Sequence, residues 1–266
     1  MNTLSLLLSF VFGTIIGSFL NVVSLRYNTG MGVNGRSKCF TCGKTLTWKE
    51  LIPLFSFAVQ KGACKKCKSK ISWQYPLVEF LAGVFFVLIF LKFPPVDAAA
   101  SISTVIYLFI TSILIVITVY DMKHKIIPDA LSYTFSLLAF IGMFFGGQTL
   151  FHIPATIDLL AGPLCALPFA LLWLVSKGTW MGFGDAKLAL GIGWTLGFLP
   201  AVSGIILAFW IGAVISVVWM LVTYKKIKGR YEIPFAPYLI LGMYLVLIFN
   251  IQVIDLRPLL QVFNLM

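Results

Sequence analysis

Two CxxC pairs, Cys39-Phe-Thr-Cys42 and Cys64-Lys-Lys-Cys67, are separated by 21 residues. That spacing is the pattern of a zinc ribbon, in which each knuckle presents two thiolates to one ion and the ion takes four soft ligands tetrahedrally. Gly43 and Gly62 suit tight turns beside the knuckles, and Lys38, Lys44 and Lys65 suit thiolate stabilisation. Two structural disulfides are the competing reading, and they need an oxidising compartment. A closed set of four cysteines leaves no position for water, so the expected zinc is structural rather than catalytic. Cys165 stands alone in an apolar run and reads as a small buried hydrophobe.

The nine acidic residues are few enough to weigh singly. Asp97, Asp158 and Asp255 fall in or beside loops on one side of the chain's apolar runs, Asp158 as a helix cap; Asp129, after Pro128, also reads as a cap. Glu232 precedes Pro234, Glu50 belongs to the cysteine segment, and Glu79 lies one turn into an apolar run, where it must snorkel or pair. Asp121 and Asp185 remain. Asp121 closes one apolar run in Val119-Tyr120-Asp121, and Asp185 opens another in Gly182-Phe183-Gly184-Asp185-Ala186-Lys187. An ionisable residue at membrane depth is costly and is by default a functional candidate. The bland alternative is two unrelated interfacial acids, each neutralised by a neighbouring lysine, Lys123 or Lys187.

Gly182 and Gly184 favour the functional reading. They predict close backbone approach and an irregular segment at membrane depth, which is tolerated only where protein buries it or it lines a wet cavity. Two carboxylates facing such a cavity cannot both ionise. One then takes a proton from water while the other, protonated, polarises a carbonyl. Helix ends add a bias, because an anion is favoured where Asp185 opens a helix and disfavoured where Asp121 closes one. Asp185 is therefore expected to be the base.

The elements that must position these groups are set by composition. The chain has 266 residues, of which 60% are hydrophobic and only 11% charged, against about 25% charged in a soluble domain. Eight apolar runs read as membrane spans: 4–25, 76–93, 101–120, 130–145, 157–175, 185–199, 201–224 and 235–252. The expected fold is an all-α polytopic membrane protein of about eight transmembrane helices, with a zinc-ribbon-like insertion after the first. Its parts are the first helix over 1–25, the cysteine segment over 26–75 and a seven-helix core over 76–266. With the N-terminus outside, eighteen of the 20 Lys and Arg residues fall on the cytoplasmic side, and only Lys92 and Arg257 fall outside. The net charge of +11 is thus topological and attracts lipid headgroups secondarily; nucleic acid is not an expected partner. The first run lacks a basic n-region and reads as a retained anchor. In it Gly13 and Gly17 form a small-xxx-small packing face.

Taken in order, these motifs resemble the type IV prepilin peptidases, bacterial GxGD-type intramembrane aspartyl proteases. The likeness runs through Ile16-Gly-Ser-Phe-Leu-Asn-Val-Val23 with Arg26, the two CxxC pairs, Glu50-Leu-Ile-Pro-Leu-Phe-Ser-Phe57 and Tyr75-Pro-Leu-Val-Glu-Phe80. It continues through Asp121 ahead of Ile127-Pro128-Asp129, the Gly182–Leu188 box and Ile233-Pro-Phe-Ala-Pro-Tyr-Leu239. The resemblance implies a bacterial inner or plasma membrane enzyme that removes the basic leader of prepilins or pseudopilins after a Gly, at the cytoplasmic face. It implies Asp121 and Asp185 as the catalytic pair, with Gly182, Gly184 and Lys187 supporting that loop. In bifunctional relatives the N-terminal part also methylates the new N-terminal residue with S-adenosylmethionine, whose site no residue here locates. The chain departs from the family's usual pattern at Tyr27-Asn28, Ala63 and Lys123, all outside the catalytic pair.

Two other classes fit parts of the pattern. A proton-coupled transporter also pairs intramembrane acids, but places them near the midplane on repeated, broken helices. A zinc-bearing membrane assembly factor explains the cysteines and leaves both aspartates idle.

Overall fold

The structure is a computed structural model, and it describes residues 2–30, 32–145, 151–223 and 233–253. Glu232, Asp255, Arg257 and the basic residues over 225–230 lie outside the described residues. The chain forms two compact units, one of Met1–Pro95 with Tyr107–Val116, the other of Val96–Ile106 with the described residues from Ile117 onward.

The first unit is built on α1 (Thr3–Arg26), the short α2 (Phe55–Val59) and α3 (Gln74–Lys92). α1 and α3 pack through the small residues that the sequence singled out. A methyl added at Gly13 would lie 2.7 Å from the Ala82 carbonyl oxygen, and one at Gly17 would lie 2.8 Å from Ala82 Cβ. Such closeness lets two backbones approach where lipid supplies no hydrophobic drive. The seam also holds polar groups. Buried Asn21 donates to the carbonyls of Gly17 (3.3 Å) and Tyr75 (3.2 Å). Glu79 is likewise buried and accepts the Leu54 N–H at 2.8 Å, so it pairs rather than snorkels. That bond ties the cysteine segment to α3. α3 packs on α1.

The second unit holds both ends of α4 (Ala98–His124), with α5 (Asp129–Gly142), α6 (Thr156–Ser176), α7 (Phe183–Leu196), α8 (Phe198–Thr223) and α9 (Ala236–Phe249). α7 is the central helix, packed against α5, α6, α8 and α9. Its buried positions run all round it, from Asp185 and Ala186 to Gly193 and Thr195. Gly191 and Gly193 make this possible, since a side chain at either would overlap Phe135 or the Ala161 backbone.

Each of the eight apolar runs forms a helix. Five are long and apolar enough to cross a membrane: α1, α3, α4, α6 and α8. α5, α7 and α9 have 14 residues each, or about 21 Å at 1.5 Å per residue, short of a hydrocarbon core of about 30 Å. The sixth span was expected to continue to Leu199. It stops at Leu196, because Gly197 takes φ +78° and α8 begins at Phe198. Pro200 lies in the first turn of α8, where the missing N–H costs nothing. Asp158 does not cap its own helix. Its Oδ1 accepts the Phe198 N–H at 3.3 Å and so caps α8. α4 starts at a true cap, Asp97, which accepts the Ala100 N–H at 2.7 Å.

Candidate active site and thiol cluster

The cysteine segment folds as two matching knuckles. Cys39 N–H donates to the Lys44 carbonyl (2.9 Å) and Gly43 N–H to that of Cys39 (2.9 Å); Cys64 N–H donates to Ser69 (2.9 Å) and Lys68 N–H to Cys64 (3.0 Å). Gly43 at φ +67° and Lys68 at φ +60° hold the same left-handed corner in each. The four Sγ atoms lie within 4.8 Å of one another, and Cys39 and Cys67 are 3.8 Å apart. A tetrahedral ion with Zn–S bonds of about 2.3 Å requires S···S edges of about 3.8 Å, so the spacing fits a metal. All four thiols are free, as is buried Cys165. Backbone donors from Cys42 and Thr41, with the Ser69 hydroxyl, draw the Cys39 thiol down to about 6. Ser69 also lowers Cys67. Beside the cluster, Lys44 Nζ meets Glu50 Oε1 at 2.7 Å, and Glu50 Oε2 accepts the Thr47 N–H at 2.9 Å in a capping box. The Lys44 hydrogen bond and these donors hold the Glu50 carboxyl down at about 2.

In the second unit α4 runs one turn past Asp121 to His124 and ends where Lys125 turns left-handed (φ +57°), its N–H on the Asp121 carbonyl at 2.7 Å. Asp121 therefore sits inside the last turn rather than at the end of the helix. Its Oδ2 accepts the N–H of Ala236, the first residue of α9, at 3.2 Å. Asp185 is the third residue of α7, whose N-cap is Gly182. The GxGD box is already helical from Phe183, so the irregular segment expected there ends at Gly182. The two glycines also differ. A methyl on Gly184 would stand 2.8 Å from Ile127 Cβ, while one on Gly182 would meet nothing closer than 3.9 Å.

Asp121 and Asp185 are only 4% and 7% exposed and lie close enough to interact electrostatically. Neither forms a salt bridge among the described residues. Lys187, the candidate neutraliser of Asp185, instead meets Asp129 Oδ1 at 2.7 Å. Asp129 is not a cap, since Pro128 holds that position with no side-chain cap bond. Backbone groups favour both carboxylates, Asp185 through its helix start and Asp121 through the Ala236 N–H, so helix ends alone do not choose the base.

Residues 11–93 match the Bacterial Peptidase A24 N-terminal domain, and residues 108–217, which include both aspartates, match the Type IV leader peptidase family. A prepilin leader peptidase/N-methyltransferase of Pectobacterium carotovorum subsp. carotovorum is 30% identical over 259 residues, covering 87% of this chain and 88% of its own. The chain belongs to the type IV leader peptidase family. Within it, the protein of that description from Bacillus subtilis (strain 168) is 28% identical over 248 residues, covering 92% of this chain and 95% of its own. That of Myxococcus xanthus (strain DK1622) is 32% identical over 221 residues, covering 80% and 63%. No solved structure matches this leader peptidase family member. It is a multi-pass membrane peptidase with a four-cysteine cluster able to hold a metal ion. The residue that sequence reasoning underrated is Asp129; its only local signal was the family motif Ile127-Pro128-Asp129.

Proposed function

We propose that this chain removes the leader from type IV prepilins or pseudopilins after a Gly, at the cytoplasmic membrane face, with Asp121 and Asp185 as its catalytic residues. The observation that carries this is a pair of buried carboxylates in one unit, within electrostatic reach and without a cationic partner among the described residues. In that setting one carboxylate is ionised and the other holds a proton. The ionised member takes a proton from water as its oxygen attacks the scissile carbonyl carbon. The protonated member donates a hydrogen bond to the carbonyl oxygen as it becomes an oxyanion. Collapse of the tetrahedral species breaks the C–N bond, and a carboxyl proton goes to the leaving amine. The Ala236 N–H holds Asp121 in place, and the packed start of α7 holds Asp185.

The four thiols hold Zn²⁺ as a structural ion, because the set is closed and its spacing suits tetrahedral sulfur. When bound, the ion crosslinks the two knuckles of a loop too polar to build its own core. The curated relatives are prepilin leader peptidase/N-methyltransferases, which supports a second step here: methylation of the new N-terminal residue with S-adenosylmethionine.

The test is the purified full chain in lipid with a prepilin, read by intact mass. Loss of the leader reports cleavage, and a gain of about one CH₂ reports methylation. Asp121→Asn and Asp185→Asn should each abolish cleavage while still inserting and binding prepilin. Leader removal by either variant at the native rate overturns the assignment.

A further inference from the structure

Lys187 and Asp185 are two residues apart on α7. Successive residues of an α-helix turn by about 100°, so the two side chains leave it about 200° apart, on opposite sides. Whatever fixes the direction of Lys187 also fixes the aim of Asp185.

Lys187 is held in several ways. Its ammonium meets Asp129 Oδ1 at 2.7 Å, and lies 5.1 Å from the centre of the Tyr133 ring and 5.2 Å from that of Phe183. Its carbonyl accepts the Ser136 hydroxyl at 3.3 Å. Asp129, Tyr133 and Ser136 fall at i, i+4 and i+7, one stripe of α5. The Lys187 side chain is 11% exposed and that of Asp129 66%. The lysine end is thus nearly buried between two aromatic faces, and its one anionic partner among the described residues stands at the surface.

Resting on the peptidase reading above, we infer that Asp129 is a positioning residue for the reaction. Acting through Lys187, it sets the rotation of the first turn of α7 and so the aim of Asp185. This role requires no contact with the substrate or with the attacking water. Because the Asp129 carboxylate stands at the surface, its removal opens no cavity in the core; it changes the aim of Asp185 and leaves the fold intact.

The test uses the full chain in bilayer nanodiscs with a prepilin substrate. Asp129→Ala should lower kcat by about 10- to 100-fold, as small misplacements of catalytic groups do, with KM changed less than about twofold and thermal unfolding unchanged. Asp129→Glu, which keeps the charge, should recover most of kcat. Lys187→Met should cost about as much as Asp129→Ala, and the double variant no more than either alone, since both changes release one clamp. Native kcat in Asp129→Ala, a fall in KM affinity alone, or losses that multiply in the double variant would overturn the inference. Asp185→Asn in the same assay separates the two claims. Cleavage by that variant overturns the peptidase pair itself, whereas a failure confined to the Asp129 series overturns only the positioning role.

Discussion

Alanine at Gly184 should damage the enzyme, and serine at Gly182 should not, although both glycines belong to one motif. The added methyl at 184 would lie 2.8 Å from Ile127 Cβ, and ordinary contact begins at 3.4 Å. About 0.6 Å of movement is therefore needed, and it falls on the start of α7 or on the loop before Pro128. Overpacking of this kind costs about 1–3 kcal/mol. A shift approaching 1 Å at a catalytic group can cost about 100-fold in rate, so a loss near tenfold is expected. Gly182 has an ordinary φ of −74° and open space at its α-carbon, and it is the N-cap of α7. Serine is a better N-cap than glycine by a few tenths of a kcal/mol. Initial rates of leader removal, with thermal inactivation measured on the same samples, give the comparison. Pairing Gly184→Ala with Ile127→Gly removes the opposing atoms and should restore part of the rate. The reasoning fails if Gly182→Ser is as impaired as Gly184→Ala, or if the pair of changes is worse than Gly184→Ala alone.

Three further outcomes are expected. Cys39→Ser or Cys67→Ser should abolish zinc binding and reduce methylation more than cleavage; metal analysis of protein purified without chelator, followed by both mass readouts, checks this, and a zinc-free native protein refutes it. Glu50→Gln should loosen the knuckles by a margin that stays constant between about pH 5 and pH 8, because a carboxyl lowered from 4.5 to about 2 gives stability that is complete above the ordinary value and lost only as pH falls through the lower one. Amide exchange at Thr47 reads that margin, and its narrowing toward pH 5 would contradict the assignment. Gly13→Val should force α1 from α3 against the Ala82 carbonyl and destabilise the first unit by at least about 1–3 kcal/mol, measured as a lower unfolding temperature with the second unit's transition unchanged.

The legible parts of the molecule are those encoded over short stretches. The CxxC spacing announced the thiol cluster, because the two residues between each cysteine pair fix a knuckle locally. Apolar runs announced eight helices, since hydrophobicity needs no partner to be read. The misread parts depend on partners distant in the chain. Asp158 was expected to cap its own helix but serves Phe198, 40 residues on. Asp129 was likewise read as a cap, and its lysine lies 58 residues away. The sixth and seventh apolar runs were divided at Pro200, between 185–199 and 201–224. Gly197 makes the turn instead, and the proline settles where its missing N–H is harmless. The glycines of the Gly182–Leu188 box were read as allowing close approach and leaving an irregular segment; Gly184 does admit Ile127 at close range, but the chain there is already helical from Phe183.

The grip of α9 on Asp121 is made by a main-chain amide, that of Ala236. Every amino acid except proline carries that donor, so alanine scanning is silent to this contact, and larger side chains at this fully buried position would report crowding rather than the hydrogen bond. The residue already there is alanine, so a scan passes over position 236 altogether. Among exchanges at 236 only proline deletes the donor, and although its fixed φ suits the first position of a helix, its ring would also crowd a fully buried site. Backbone chemistry, such as an amide-to-ester replacement at that bond, would expose a dependence that ordinary mutagenesis passes over.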